Sequence, residues 1–342
     1  MGVALRSLVE PKQIDLDFLR NKTIVLDSYN MLYQFLTSIR GPDGALLTDS
    51  QNRVTSHLVG LFSRTTKLMQ MNIKLAFVFD GKAPALKQKT IQKRMELKTQ
   101  ALEKFEKASK EEDLEQMRKY SARTVRLTKD LVEEAKHVIN LLGLPVIQAP
   151  SEGEAQGAFM VKKGDAYAVG SQDFDALING ATRVVRNLSI AGKRKKGAFN
   201  SEYVHPEIIE LGDCLGKLDI DNNQLIALSM MVGTDYNPGG VAGIGPKTAL
   251  KLVKQFGSDF DALFEQVRWG EHCDVSWKEV YDTIANMPVS SDYNLKWKKP
   301  DTSSLVSYLV EERNFSMERV NPTLEKMHQE NSKKGQRSLA DF

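Results

Sequence analysis

Short apolar runs that close on an acid punctuate the first third of the chain. Thr23-Ile24-Val25-Leu26-Asp27 and Leu75-Ala76-Phe77-Val78-Phe79-Asp80 are the clearest. Their length and β-branched content predict buried strands. Between them, His57 to Met71 carries Leu58, Leu61, Phe62, Leu68 and Met69 at helical spacing. Further on, Asp130 to Leu142 reads as an amphipathic helix stopped by Gly143, Leu144 to Ala149 as a strand, Ser151 to Lys163 as a helix and Ala166 to Gly170 as a strand. Thr182 to Ile190 and Ala198 to Val204 are candidate strands around a basic loop, Gly192 to Gly197, and beyond Asn222 the pattern is mostly helical. Buried strands alternating with helices predict an α/β fold with a mainly parallel sheet flanked by helices.

Charge changes this picture in one segment. Over the full 342 residues, 47 Lys/Arg nearly balance 44 Asp/Glu. Lys82 to Asp130, however, holds 14 basic against 8 acidic residues, a net of +6, with few apolar positions. It is expected to be helical and to stand largely outside the core. No apolar run approaches the roughly 20 residues of a membrane span. Two cysteines without a CxxC, and five histidines, leave neither a disulfide framework nor a zinc site, so an intracellular protein is expected. The stretch from Gln329 to Phe342 is polar without a core period and is expected to be a flexible tail, leaving residues 1–328 as one folded domain.

Acids recur where an open parallel sheet builds its site, beyond the carboxyl ends of strands. Asp27, Asp80, Asp173 and Asp175 would emerge there, and with Glu152, Glu154 and Asp235 they make a set of seven acids at strand ends or in short paired spacings. In extended backbone Asp173 and Asp175 would point to one side. Glu152 and Glu154 would diverge on an ideal helix, so they need the loop or first turn after Pro150 to share a centre. Any one of these acids is ordinarily a helix cap or turn residue. Clustered together in a cleft they repel unless cations separate them, and an all-oxygen set favours Mg²⁺ or Mn²⁺.

A second signal is Gly240-Val241-Ala242-Gly243-Ile244-Gly245-Pro246-Lys247-Thr248-Ala249. Pro246 breaks a P-loop, and the glycine spacing breaks a dinucleotide fingerprint. A tight hairpin between two helices fits instead, with N–H groups at a helix start and Lys247, Lys251 and Lys254 at helical spacing. An ordinary helix–helix turn is the alternative, and the lysines favour nucleic acid.

Val25-Leu26-Asp27, Val78-Phe79-Asp80-Gly81-Lys82, Pro150-Ser151-Glu152-Gly153-Glu154-Ala155, Ser171-Gln172-Asp173-Phe174-Asp175, Gly233-Thr234-Asp235-Tyr236 and the glycine hairpin together resemble the flap endonucleases, in order and distance, from Met1 to about Arg319. The short basic loop and the tail resemble the archaeal type. The resemblance implies a structure-specific 5′ flap endonuclease and 5′–3′ exonuclease with a helical arch over residues 82–130 and a helix–hairpin–helix element near 236–257. It divides the chain into an N-terminal region, 1–100, and an internal region, 118–260. It implies that the seven acids hold two Mg²⁺, with Mn²⁺ as substitute, and that Lys87 and Arg94 steady the scissile phosphate. Tyr33 would stack on a base; Gly2, Arg40, Arg64, Glu152, Gly233, Asp235, Gly243, Gly245 and Lys247 would lie at the DNA, with K⁺ joining at the hairpin. Gly153 and Gln156 depart from the commoner choices, and neither is a ligand.

At the terminus, Gln336-Arg337-Ser338-Leu339-Ala340-Asp341-Phe342 resembles the peptide that docks on a trimeric replication sliding clamp, with Gln336, Leu339 and Phe342 as contacts. The expected partners are branched DNA with a 5′ flap and that clamp, with no membrane and a monomer alone; the expected place is the cytoplasm of an archaeal-type cell. The competing readings are a nuclease for nicks, gaps or Holliday junctions, and a non-catalytic binder of branched DNA recruited by the clamp.

Overall fold

A computed structural model describes residues 3, 5–111, 113–196 and 200–340. Gly2 and Phe342 lie outside the described residues, as do the side chains of Gln336 and Leu339. The strands are β1 (Lys12–Gln13), β2 (Thr23–Asp27), β3 (Lys74–Phe79), β4 (Val146–Gln148), β5 (Ala168–Gly170), β6 (Arg183–Arg186), β7 (Gly192–Lys196), β8 (Asn200–Val204) and β9 (Glu207–Glu210). Seven of them form one sheet in the order β1-β9-β6-β5-β2-β3-β4. The central pairs β2–β3, β2–β5, β3–β4 and β5–β6 run parallel, while β9 and β1 add antiparallel strands at one edge. The mainly parallel expectation therefore holds.

Side chains alternate across this sheet as strand geometry requires. Val25, Ala76 and Val78 face one core; Ile24, Leu26, Leu75, Phe77 and Phe79 face the other. The helices are α1 (Ser28–Ser38), α2 (Ser56–Gln70), α3 (Gln88–Lys110), α4 (Leu114–Ser121), α5 (Lys129–Leu141), α6 (Gly153–Lys162), α7 (Asp175–Ile178), α8 (Leu211–Leu218), α9 (Asn222–Val232), α10 (Pro246–Phe256), α11 (Phe260–Gln266), α12 (Trp277–Ala285), α13 (Thr302–Val306) and α14 (Met317–Ala340). Residues of α6, α7, α9, α10, α11 and α12 fill the first core, and residues of α1, α2, α5, α13 and α14 the second. Two apolar layers thus clamp the sheet and fix the carboxyl ends of β2, β3 and β5 side by side. Among the described residues no helix is long and apolar enough to cross a membrane.

Three local expectations need correction. The basic stretch is not a loop, since Gly192–Lys196 pairs antiparallel with Asn200–Val204 as a hairpin. Its ladder satisfies the backbone without an apolar face, so the sequence pattern shows no strand. Asp173 and Asp175 do not share an extended segment, because Phe174 adopts helical φ/ψ (φ −96, ψ 0) and Asp175 opens α7. The backbone of the polar C-terminal stretch continues as helix α14 to Ala340. Its many Glu, Lys, Gln and Arg residues are good helix formers, so the lack of a core period did not preclude a helix.

Candidate active site

The acids meet where the parallel strands end. Asp27 closes β2 and accepts the Asn30 N–H at 3.0 Å, so it is also the N-cap of α1. Asp80 follows β3 and accepts the Gly153 N–H at 2.7 Å. That bond gives a use to the Gly153 backbone, although its side chain supplies nothing. Glu152 occupies the N-cap position of α6 and Glu154 its first turn, the placement the sequence required. Asp173 accepts from the Asn30 side-chain amide at 2.9 Å, and Asp175 from the Val3 N–H at 3.0 Å. Asp235 comes from the loop between α9 and α10. All seven line one open cleft of about 960 Å³, together with Tyr29, Asn30 and Tyr33 from α1 and Lys87, Ile91, Arg94, Leu97 and Lys98 from the arch.

The two glutamates sort into different neighbourhoods. Glu152 lies with Asp80 and Lys87; Glu154 lies with Asp175, Asp27 and Asp173. Their divergence along the helix start makes this split. Burial, then the charge of Asp80, pushes the Asp27 carboxyl up to about 8. Burial, then Glu152, raises Asp80 to about 6. Burial dominates at Asp175 too, where Asp173 and Asp235 add to it, the Val3 N–H opposes it, and the result is about 6. Glu154 is raised well above its ordinary value by burial and by Asp175. These are acids that resist ionising together without a cation.

The arch supplies cations at this point. α3 and α4 form a helical pair between β3 and α5, as the charge pattern implied. Lys87, the last residue before α3, forms an ion pair with Glu152 and lies 3.3 Å from Asp235. Arg94, about two turns further on, forms an ion pair with Asp235. Burial alone would lower the Lys87 ammonium, but Glu152, Asp235 and Asp80 overcome this and hold it above the ordinary lysine value. Thr90 Oγ1 donates to the Asp235 carbonyl at 2.6 Å and seats the arch on the loop. Lys98 donates to the Tyr33 hydroxyl at 3.1 Å, with its Nζ 4.6 Å from the ring centroid.

Other sequence candidates stand apart from the cleft. Arg40 is half-buried and donates to the carbonyls of Leu36 and Gly44 at 3.0 and 2.7 Å, bracing the turn at residues 41–45. Arg64 is half-buried on α2. Gly233 ends α9 at φ +113, where a Cβ would sit 2.8 Å from the Gly240 nitrogen, so this turn admits only glycine. Gly243, Gly245 and Lys247 are exposed at the start of α10, whose first residue is Pro246.

Asn30 and Ser171 touch the acids and carry no role in the sequence reading. The signal was available only as position, Asn30 one turn after Asp27 and Ser171 two residues before Asp173. Among the described residues, no three acids are already drawn together tightly enough to hold a metal ion. The arch cations hold Glu152 and Asp235 in their place, and the remaining acids form an open ring. The donor set still fits hard divalent cations, because it is all oxygen, largely covered and deficient in positive charge.

A ring of acids at the carboxyl ends of parallel strands, roofed by a cationic helical pair, defines the class of the XPG nucleases. Residues 1–101 match the XPG N-terminal domain, and residues 143–235 match the XPG I-region. Flap endonuclease 1 of Aeropyrum pernix is 47% identical over 331 residues, covering 96% of this chain and 94% of that protein. Flap endonuclease 1 of Pyrococcus horikoshii is 46% identical, again covering 96% and 94%. Among solved structures, the flap endonuclease-1 from Methanococcus jannaschii superposes with a TM-score of 0.76 at 39% identity, covering 97% of this chain and all of that one. The chain belongs to the flap endonuclease 1 family.

Proposed function

We propose that this protein is a metal-dependent, structure-specific nuclease that cuts DNA phosphodiesters at the base of 5′ flaps and acts as a 5′–3′ exonuclease. The observation that carries this reading is the single cleft in which all seven acids meet Lys87 and Arg94. A non-catalytic DNA binder would gain nothing from buried acids that repel one another.

In this reading two Mg²⁺, with Mn²⁺ as substitute, sit among the acids. Asp27, Asp80, Glu152, Glu154, Asp173, Asp175 and Asp235 would hold them between them. When bound, the ions supply Lewis-acid stabilisation of the attacking and leaving oxygens of an in-line displacement. Lys87 and Arg94 turn from Glu152 and Asp235 to the scissile phosphate and meet its growing negative charge. Tyr33 offers a ring to the neighbouring base once Lys98 leaves it. Glu152 and Asp235 border the entering strand through the ions they hold. Arg40, Arg64 and Gly233 border the DNA on the body, and Gly2 joins them as a DNA contact.

The exposed backbone at Gly243 and Gly245, with Lys247, holds the downstream duplex by its phosphates without reading sequence, and K⁺ joins through backbone carbonyls. Gln336, Leu339 and Phe342 bind a trimeric sliding clamp. The enzyme works as a monomer in the cytoplasm of an archaeal-type cell, at replication sites. A panel of labelled substrates tests the reading: a 5′ flap, a nick, a gap and a four-way junction, each with Mg²⁺. The 5′ flap should be cut fastest, at its base; faster cutting of the four-way junction would assign a different specificity.

A further inference from the structure

Neutral hydrogen-bond donors fix one oxygen of each of five of the seven acids. The bonds fall on Oδ1 of Asp27 from the Asn30 N–H, Oδ1 of Asp80 from Gly153, Oε1 of Glu154 from Ser171 Oγ at 3.1 Å, Oδ2 of Asp173 from the Asn30 amide and Oδ1 of Asp175 from Val3. Two residues span separate strand ends in this pattern. Asn30, on α1 after β2, donates Nδ2–H to Asp173 at 2.9 Å, while its Oδ1 accepts the Gln172 N–H at 3.4 Å. Ser171, after β5, donates to Glu154 of α6, lies 3.4 Å from Asp27 Oδ2, and accepts the Asp173 N–H at 3.3 Å.

Asn30 is the third residue of α1 behind an aspartate cap, where a side chain that only capped the helix would turn back to the Asp27 N–H. It reaches across to the β5 loop instead. Its amide is satisfied there as donor and acceptor at once, which an ionised carboxylate in that position, an acceptor only, would not manage. We propose that Asn30, assisted by Ser171, is a positioning residue that locks the β2 and β5 strand ends together and turns one oxygen of Asp173 and of Glu154 toward a shared cation. This rests on the reading of the acids as the metal set. Partners that orient metal ligands from outside typically govern about 10–100-fold in metal affinity or activity.

Mn²⁺ titration of the DNA-free protein, followed by electron paramagnetic resonance of the free ion, reads this directly. Asn30→Leu keeps the size and removes both bonds; Ser171→Ala removes the second bridge; Asp173→Asn is the control for the metal reading. Asn30→Leu should weaken Mn²⁺ binding about 10–100-fold, and Ser171→Ala by a smaller factor in the same direction. Single-turnover cleavage by Asn30→Leu should fall at limiting Mg²⁺ and recover toward wild type as Mg²⁺ is raised, with flap affinity in Ca²⁺ unchanged. Binding within twofold of wild type for both variants, with Asp173→Asn clearly weakened, would overturn the positioning role and leave the metal reading intact. A loss of cleavage in Asn30→Leu that added Mg²⁺ does not restore would also overturn it. Unweakened Mn²⁺ binding in Asp173→Asn would instead sink the metal reading itself. If Asn30→Leu melts well below wild type in chelator, Asn30→Ser and Ser171→Ala carry the comparison, with the same 10-fold or greater loss expected for Asn30→Ser.

Discussion

Lys87→Met separates two duties of one side chain. Methionine keeps the apolar stem and removes the ammonium, so Glu152 loses its ion pair while Asp235 keeps Arg94. Both Lys87 and Glu152 side chains are mostly covered, at 15% and 12% exposure, so solvent screens the pair only weakly. Removing one partner of a buried pair costs about 3–5 kcal/mol. For the metal-free protein of 342 residues that corresponds to a fall in melting temperature of about 4–7 °C. A divalent cation bound at Glu152 replaces the lost ammonium, so the deficit should shrink in saturating Mg²⁺. Turnover tells the opposite story, since metal does not replace Lys87 at the phosphate: single-turnover cleavage should fall about 10²–10³-fold in saturating Mg²⁺, with flap affinity nearly unchanged. Calorimetric melting in chelator and in Mg²⁺, beside quenched-flow cleavage, reads both. An equal stability deficit in the two buffers, or a loss confined to binding, would refute the reasoning.

Metal loading should release protons near neutral pH. Asp27 is raised to about 8 and Asp80 and Asp175 to about 6, so each stabilises the metal-free fold below its unfolded value near 3.8 and loses that contribution as pH climbs through the folded value. Stability in chelator from this site should therefore decline from pH 4 to 8, and Mg²⁺ titration calorimetry at pH 7 in buffers of different ionisation enthalpy should report net proton release; buffer-independent heats would contradict this. Gly233→Ala should destabilise the α9–α10 loop by roughly 1–3 kcal/mol, because its φ of +113 is strained for any Cβ, and an unchanged denaturant midpoint would refute it. Deleting residues 336–342 should leave clamp-free flap cleavage intact and abolish stimulation by a sliding clamp, and calorimetric titration showing undiminished clamp affinity would assign the contact elsewhere.

The sheet was legible where burial on both faces leaves an uninterrupted apolar run, as in β2 and β3. The short β4 and β5 were legible too, while β1 and β9 at the antiparallel edge were hidden. Glu207-Ile208-Ile209-Glu210 offers only two apolar residues, and the hairpin from Gly192 shows basic residues where a strand was not expected. The acids were legible because all but Asp235 follow a strand end or open a helix. What they touch was not, since Lys87 meets Glu152 across 65 residues and Asn30 meets Asp173 across 143. Local sequence gives no sign of such partners; only the stacking of strand ends brings them together. The conformation between Asp173 and Asp175 was misjudged for a related reason, because a period of two describes a strand and Phe174 has already left it.

Single-turnover cleavage of a 5′-labelled flap, by the wild type and by Asp173→Asn, tests the central claim most directly. The wild type should release the flap at the junction in Mg²⁺ and do nothing in chelator. Asp173→Asn should bind the flap at least as tightly and cut it several orders of magnitude more slowly. Cleavage that persists in chelator, or an Asp173→Asn rate near that of the wild type, would contradict the assignment of the acid cleft as a metal-dependent nuclease centre.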